Sequence, residues 1–283
     1  MDSGIEGLVA LVTGASGGIG REIAAAYAAE GASVVLHAGR RLEELEARVA
    51  DEPWAERALC VQAELSDADA QERMFAAARE RFGRVDLCAA NAGVWPPGDE
   101  LLHELSVERL QRTLAVDLLG AALTARAFFQ SLATTGPRPD GRGAALVFTG
   151  STAGVFGERG HADYAMSKAG LVGLVQTLKN EIVALDPYGR VNLVHPGWTV
   201  TAMARPALDD DRNVARALRT MPLQQLAHAR DIARAVLYFS SPELARHVSG
   251  EALVVAGGME GRVQWDEQQI DVPRVRARLE STS

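Results

Sequence analysis

Short apolar runs alternate with helix-forming stretches along nearly the whole chain. Leu8–Val12, Ser33–His37, Ala58–Ala63, Val85–Ala89, Ala144–Thr149, Arg190–Val194 and Ala252–Val255 are short and mostly apolar, with no polar residue at every second position. Such runs suit strands covered on both faces, as in a parallel sheet, and not the half-wet strands of an antiparallel one. Helix patterns lie between them at Arg21–Glu30, Leu42–Ala50, Ala68–Arg81, Val107–Leu132, Ala169–Leu185 and Arg230–Tyr238. Seven strands with helical crossovers predict an α/β, doubly wound sheet of mostly parallel strands, helices on both faces, and ligands at the carboxyl ends of the strands. A length of 283 residues fits one large domain. That domain is predicted over residues 1–258, with a lid at about 198–225 and a polar tail at 259–283.

The first turn of this series carries chemistry. Thr13-Gly14-Ala15-Ser16-Gly17-Gly18-Ile19-Gly20 separates strand Leu8–Val12 from the helix at Arg21. A glycine turn running into a helix N-terminus offers backbone N–H groups and a positive dipole end to a pyrophosphate, with no Cβ in the way.

A second constellation lies past the middle of the chain. Ser151 follows the strand Ala144–Thr149, and Tyr164 and Lys168 are four apart at the head of a helical run. At that spacing the phenol and the ammonium share a helix face. A fixed cation favours phenolate, lowers the phenol pKa and makes Tyr164 a general acid/base, with the Ser151 hydroxyl placed to hold the oxygen that receives the proton. On a random helix the same pair is a surface pair or a snorkelling lysine; the independent glycine turn is what argues for a site.

Together these motifs resemble the short-chain dehydrogenase/reductase family, in its short single-domain branch of the 3-oxoacyl reductase kind. The resemblance rests on Thr13–Gly20, on Asn91-Ala92-Gly93, on Ser151, Tyr164 and Lys168, on Pro196-Gly197 followed by Thr201, and on the closing Ser249-Gly250 and Gly257-Gly258. It implies interconversion of a carbonyl and a secondary alcohol by hydride transfer from or to a nicotinamide cofactor. Gly14, Ser16, Gly18, Ile19 and Gly20 then line the phosphates, Asn91, Ala92 and Gly93 the adenosine ribose, and Glu64 and Leu65 the adenine. Pro196 and Gly197 back the nicotinamide, Thr199 and Thr201 contact its carboxamide and the phosphates, and Lys168, beside Tyr164, holds the nicotinamide ribose. The family's habit also implies a homo-oligomer, a tetramer or a dimer.

Strand Ser33–His37 runs into Ala38-Gly39-Arg40-Arg41, with no acid to grip a ribose 2′-hydroxyl. Arginine there suits a 2′-phosphate, so NADP(H) is expected over NAD(H), with Arg40 as the anion contact. The opposing reading has both arginines solvated over the next helix. One departure from the family pattern falls at Asp117, where an asparagine is usual. An ionised carboxyl accepts hydrogen bonds only and adds negative charge near Lys168, which supports the ammonium and opposes phenolate.

The substrate pocket is expected from Trp95, Phe156, His161, Trp198 and Met203, beside Ser151 and Tyr164. The tail reads first as a partly ordered end; the alternative is an arm over a neighbouring subunit, for which Val272, Val275 and Leu279, on one helical face, give something to bury. The net charge of −8 gives no basic footprint for nucleic acid or an anionic membrane. Nothing approaches a spanning segment, no signal-peptide form is present, and the cytoplasm is the expected location. Cys60 and Cys88 read as two buried thiols, and no His/Cys set has metal-ligand spacing. The rival reading is a sensor or scaffold that binds NADP(H) and does no chemistry. An epimerase or dehydratase on the same scaffold ranks lower, because the chain lacks the larger C-terminal substrate region of such enzymes.

Overall fold

A computed structural model describes residues 2–281. Seven strands form one fully parallel sheet: β1 (Val9–Val12), β2 (Ser33–Ala38), β3 (Ala58–Gln62), β4 (Leu87–Ala90), β5 (Ala145–Thr149), β6 (Arg190–Pro196) and, last in the chain, β9 (Ala252–Val255). Their spatial order is β3-β2-β1-β4-β5-β6-β9, so the winding reverses between β1 and β4. The register sets Val12 beside Ala89. The residues that follow these two strands, the glycine turn and Asn91, therefore meet in the crevice that such a reversal opens.

The apolar runs are buried because helices cover both faces. On one face α1 (Gly18–Ala29) and α10 (Ala229–Ser240) pack together, with α2 (Leu42–Ala50) beside them, around Ile23, Tyr27, Leu36, Ile232 and Phe239. On the other, α3 (Ala68–Phe82), α5 (Gly120–Thr135) and α7 (Ala162–Glu181) close over Phe75, Phe128, Phe148 and Leu171. Asp67 caps α3 by accepting from the N–H groups of Asp69 and Ala70, and Gly83 ends the helix at φ 83°.

Four features differ from the sequence reading. The long helix predicted over Val107–Leu132 is α4 (Val107–Leu114) and α5 joined by a π-helical turn, Ala115–Leu119, which contains Asp117. The Tyr164 helix starts earlier than its apolar run, at Ala162, because His161 and Asp163 are fixed by contacts outside the helix. Cys88 is buried but Cys60, on the outermost strand, is only half-buried; both are free thiols. The tail packs back on its own chain.

That tail, with the lid, forms a third apolar cluster apart from the sheet. The segment expected as a lid contains strand β7 (Thr199–Val200) and helices α8 (Arg205–Leu208) and α9 (Asp211–Leu218), and β8 (Ala227–His228), just after it, pairs with β7. Helix α11 (Val272–Ser281) buries Val272 and Val275 against Leu208, Val214 and Leu218, with Leu279 packed at the margin. The face that the sequence leaves for a neighbouring subunit is thus occupied within the chain; residues 282 and 283 lie outside the described residues. The short α6 (Ala153–Phe156) links β5 to α7.

Candidate active site

The glycine turn is built for close approach. Gly14 has φ +69°, and a Cβ on it would lie 2.9 Å from the Ala92 Cα. A Cβ on Gly20 would meet the Gly14 carbonyl, and one on Gly18 would lie 2.9 Å from the Thr201 Cγ2. Thr201, at the start of the lid, therefore rests on the turn that opens α1. Helix α1 begins with Gly17 at its N-cap, no side-chain cap and no acid in its first turn. Its orphan N–H groups and positive dipole end face the crevice, which fits a diphosphate.

Polar braces hold this turn in place. The Thr13 hydroxyl accepts from the N–H groups of Asn91 (2.9 Å) and Ala92 (3.0 Å). The Asn91 side chain donates to the Thr13 carbonyl (3.1 Å) and accepts from the Thr149 hydroxyl (3.3 Å), tying the ends of β1, β4 and β5 together. His37 accepts the Gly14 N–H at Nδ1 (3.1 Å) and donates from Nε2 to the Ala63 carbonyl (2.9 Å). Burial lowers its pKa, so the ring is neutral with the proton on Nε2.

The other cofactor candidates divide by exposure. Arg40 projects from the loop after β2, exposed and without a partner among the described residues, whereas Arg41 pairs with Glu44 at 4.0 Å. Glu64 is exposed and takes the N–H and hydroxyl of Ser66. The Leu65 side chain is in the core, so only its backbone is left for an adenine contact. Pro196 ends β6, and Gly197 packs so closely on Ala256 that a Cβ would lie 2.6 Å from the Ala256 Cβ. The Thr199 hydroxyl donates to the Gly197 carbonyl at 2.9 Å.

Ser151 and Lys168 both act on the Tyr164 phenol, and the Lys168 ammonium lies beside Gly93. Lys168 is 3% exposed and donates from Nζ to the Thr149 carbonyl (3.2 Å), with the ammonium 5.6 Å from the centre of the Tyr164 ring. Gly154 lets α6 sit on α7, since a Cβ there would lie 2.7 Å from the Lys168 carbonyl carbon. The Ser151 hydroxyl accepts the Ala153 N–H at 3.1 Å and lies close enough to the phenol to favour its ionised form. Contrary to the net lowering expected from sequence, the Tyr164 pKa is raised. Burial is the largest influence, the Lys168 ammonium and Ser151 pull the other way, and Asp117 adds to the rise. The phenol is therefore neutral across physiological pH, which equips it to give a proton.

Asp117 is fully buried. The wide turn around it brings Oδ1 to the Val94 N–H at 2.7 Å, while Oδ2 has no partner. Burial raises the Asp117 pKa; Lys168 and the Val94 hydrogen bond oppose it, and Asp163 reinforces it.

Of the expected pocket residues, Trp95 stacks on His161 (centroids 3.9 Å, 22°) and meets Tyr164 edge-on at 4.8 Å. His161 is buried, with Nε2 3.2 Å from the Pro96 carbonyl, so it fixes Trp95 instead of facing solvent. Phe156 and Met203 are exposed. Trp198 is half-buried and packs against the third cluster, as do Val200 and Ala204. The apolar drive of the lid's own small core draws the indole against it.

Three groups escape the sequence reading. His195, neutral because burial lowers its pKa, holds Nδ1 3.2 Å from the Ser151 N and 3.0 Å from the Ser151 O. His37 does the corresponding service for Gly14. A histidine near the end of an otherwise apolar strand is the signal for both. The third is Asp163, next to Tyr164, which accepts from Arg109 Nε (3.1 Å) and the Thr113 hydroxyl (2.9 Å) in a buried network. Arg109 also reaches Glu100 and the Gly98 carbonyl, anchoring the start of α7 to α4.

Comparison with known proteins agrees with this geometry. The family model described as enoyl-(acyl carrier protein) reductase matches residues 14–260. The chain is 34% identical over 254 residues to the L-rhamnose 1-dehydrogenase (NAD(P)(+)) of Azotobacter vinelandii, covering 88% of this chain and 95% of that one. It is also 34% identical over 254 residues to the 3-oxoacyl-(acyl-carrier-protein) reductase FabG of Escherichia coli, covering 90% and 98%. A crystal structure from Brucella melitensis, titled as a short-chain dehydrogenase/reductase of the glucose/ribitol dehydrogenase kind, superposes with a TM-score of 0.81 at 30% identity, over 92% of this chain and 99% of that one.

Proposed function

The chain belongs to the short-chain dehydrogenase/reductase family of oxidoreductases, and from that premise we propose that it reduces a carbonyl to a secondary alcohol with NADPH, Tyr164 giving the proton. The carrying observation is the half-buried phenol beside Ser151 and Lys168, with the uncapped start of α1 at the crevice. When bound, the nicotinamide supplies the hydride. Ser151 holds the substrate oxygen, and its own backbone is held by His195. Tyr164 delivers a proton to that oxygen, and the Lys168 ammonium stabilises the phenolate left behind. Proton transfer by a positioned acid accounts for about 10²–10⁴-fold, and registration of the reacting carbons must supply much of the rest. Lys168 has donors beyond the one given to Thr149, which suit ribose hydroxyls. Arg40, exposed and unpaired among the described residues, suits a 2′-phosphate.

The test is a panel of ketones and aldehydes assayed for NADPH and NADH oxidation at the nicotinamide absorbance, in the parent and in Tyr164→Phe. A carbonyl reductase loses at least about 10²-fold in kcat in the variant while NADPH binding persists. Equal rates in the two proteins, or NADPH binding without turnover of any carbonyl compound, would overturn the proposal and favour a binding protein without chemistry.

A further inference from the structure

The chain beyond β9 returns to α6 and to the segment that follows β6, and touches both. Helix α6 follows Ser151 and ends in the exposed Phe156 ring. Gly261 lies against that ring, with φ +74° and a Cβ position 2.9 Å from the Phe156 Cδ1. Any side chain there would strain the backbone and strike the ring, so the approach is specific to glycine. The same segment is tied to the residues expected as a lid. Trp265 Nε1 donates to the Met221 carbonyl (2.8 Å), the Gln264 N–H to the Arg219 carbonyl (2.6 Å), and Arg219 Nε to the Trp265 carbonyl (3.1 Å). Farther on, Arg276 reaches the Leu208 carbonyl at 3.0 Å and pairs with Asp211, while Val272 and Val275 are buried under α9.

Resting on the carbonyl-reductase reading, we propose that the segment Met259–Ser281 is the end wall of the substrate cleft and confines the enzyme to compact carbonyl compounds by barring extended acyl chains. A chain passing beyond Phe156 must part Gly261 from the ring. That displacement pulls on Trp265, whose hydrogen bonds and indole are seated on the lid. The wall is built from the same chain as the lid and rides with it, so lid opening alone does not lengthen the cleft.

The experiment compares the full-length parent with Trp265→Ala and Arg276→Ala, using ethyl acetoacetate as the compact probe and the N-acetylcysteamine thioester of 3-oxododecanoate as the extended one. The parent should favour the compact probe in kcat/KM, and Trp265→Ala should raise the extended-to-compact ratio at least about tenfold, through a lower KM for the extended probe. Trypsin cleavage at Arg262 or Arg274 reports release of the wall independently of turnover. If Trp265→Ala fails to fold by circular dichroism, Arg276→Ala is judged by the same ratio. A ratio unchanged while the wall is released, or a parent that takes the extended probe as readily as the compact one, overturns the inference and leaves the reductase reading intact. A parent that binds NADPH and turns over neither probe nor any other carbonyl compound overturns both.

Discussion

The Asp117 carboxyl and the Lys168 ammonium stand over the same glycine: a Cβ placed on Gly93 would lie 3.2 Å from Asp117 Oδ1 and 3.0 Å from Lys168 Nζ. Any other residue at position 93 would wedge the two apart. Asp117 gives Oδ1 to the Val94 N–H and leaves Oδ2 unsatisfied, while Lys168 donates to Thr149. A buried carboxyl and a buried ammonium thus influence one another across the floor of the site without an ion pair.

Asp117→Asn should act on both stability and rate. Because burial raises the Asp117 pKa, the folded protein binds the proton more tightly than the unfolded chain does. Stability from this group therefore falls as pH rises above the ordinary carboxylate range, near about 4, and through the raised value. The variant lacks that loss, so the Tm difference in its favour should grow as pH rises above about 4. Asp117 also raises the Tyr164 pKa, so the alkaline limb of the kcat profile should move to lower pH in the variant. A constant Tm difference together with an unmoved limb would show that the carboxyl has no such role.

Arg40→Ala should raise the KM for NADPH about ten- to hundredfold, the usual worth of a charge-assisted hydrogen bond. The KM for NADH should stay where it is. Steady-state kinetics with both cofactors check this, and parallel changes in the two would place Arg40 outside the 2′-phosphate contact.

Acid should loosen the glycine turn through His37. Its pKa is lowered by burial, so protonation is resisted in the fold. Stability from the neutral ring is complete above the unfolded value of about 6.5 and declines as pH falls below it. Once Nδ1 carries a proton it no longer accepts the Gly14 N–H. Fluorescence titration with NADPH should show binding weakening as pH falls below about 6.5 and through the lowered His37 value, and His37→Gln should flatten that trend. A pH dependence that survives in the variant points to another group.

Asp163→Ala removes the partner of a buried guanidinium, with Arg109 and Asp163 side chains only 7% and 0% exposed. Breaking one side of such a pair costs about 3–5 kcal/mol. Glu100 and the carbonyls around Arg109 hold the loss toward the lower end. Urea denaturation should show a lower midpoint with unchanged slope. A midpoint equal to the parent's would mean that the network does not anchor α7.

The alternation of apolar runs with helical patterns was enough to specify seven parallel strands, because only a sheet buried on both faces accommodates such runs. The glycine turn, Tyr164 and Lys168 were legible for a related reason: helix spacing and strand–turn–helix order fix local geometry without distant parts of the chain. Other features were decided only in three dimensions. The net rise of the Tyr164 pKa depends on how deeply the phenol is buried, and burial is summed over residues far apart in the chain. His37, His195, Asp163 and Arg109 owe their roles to contacts between elements brought together by the sheet order. Trp198 and α11 followed the lid's small apolar core, whose members from Leu208 to Val275 share no local pattern. A sequence dictates what is covalently near; desolvation and cross-chain pairing belong to the folded whole.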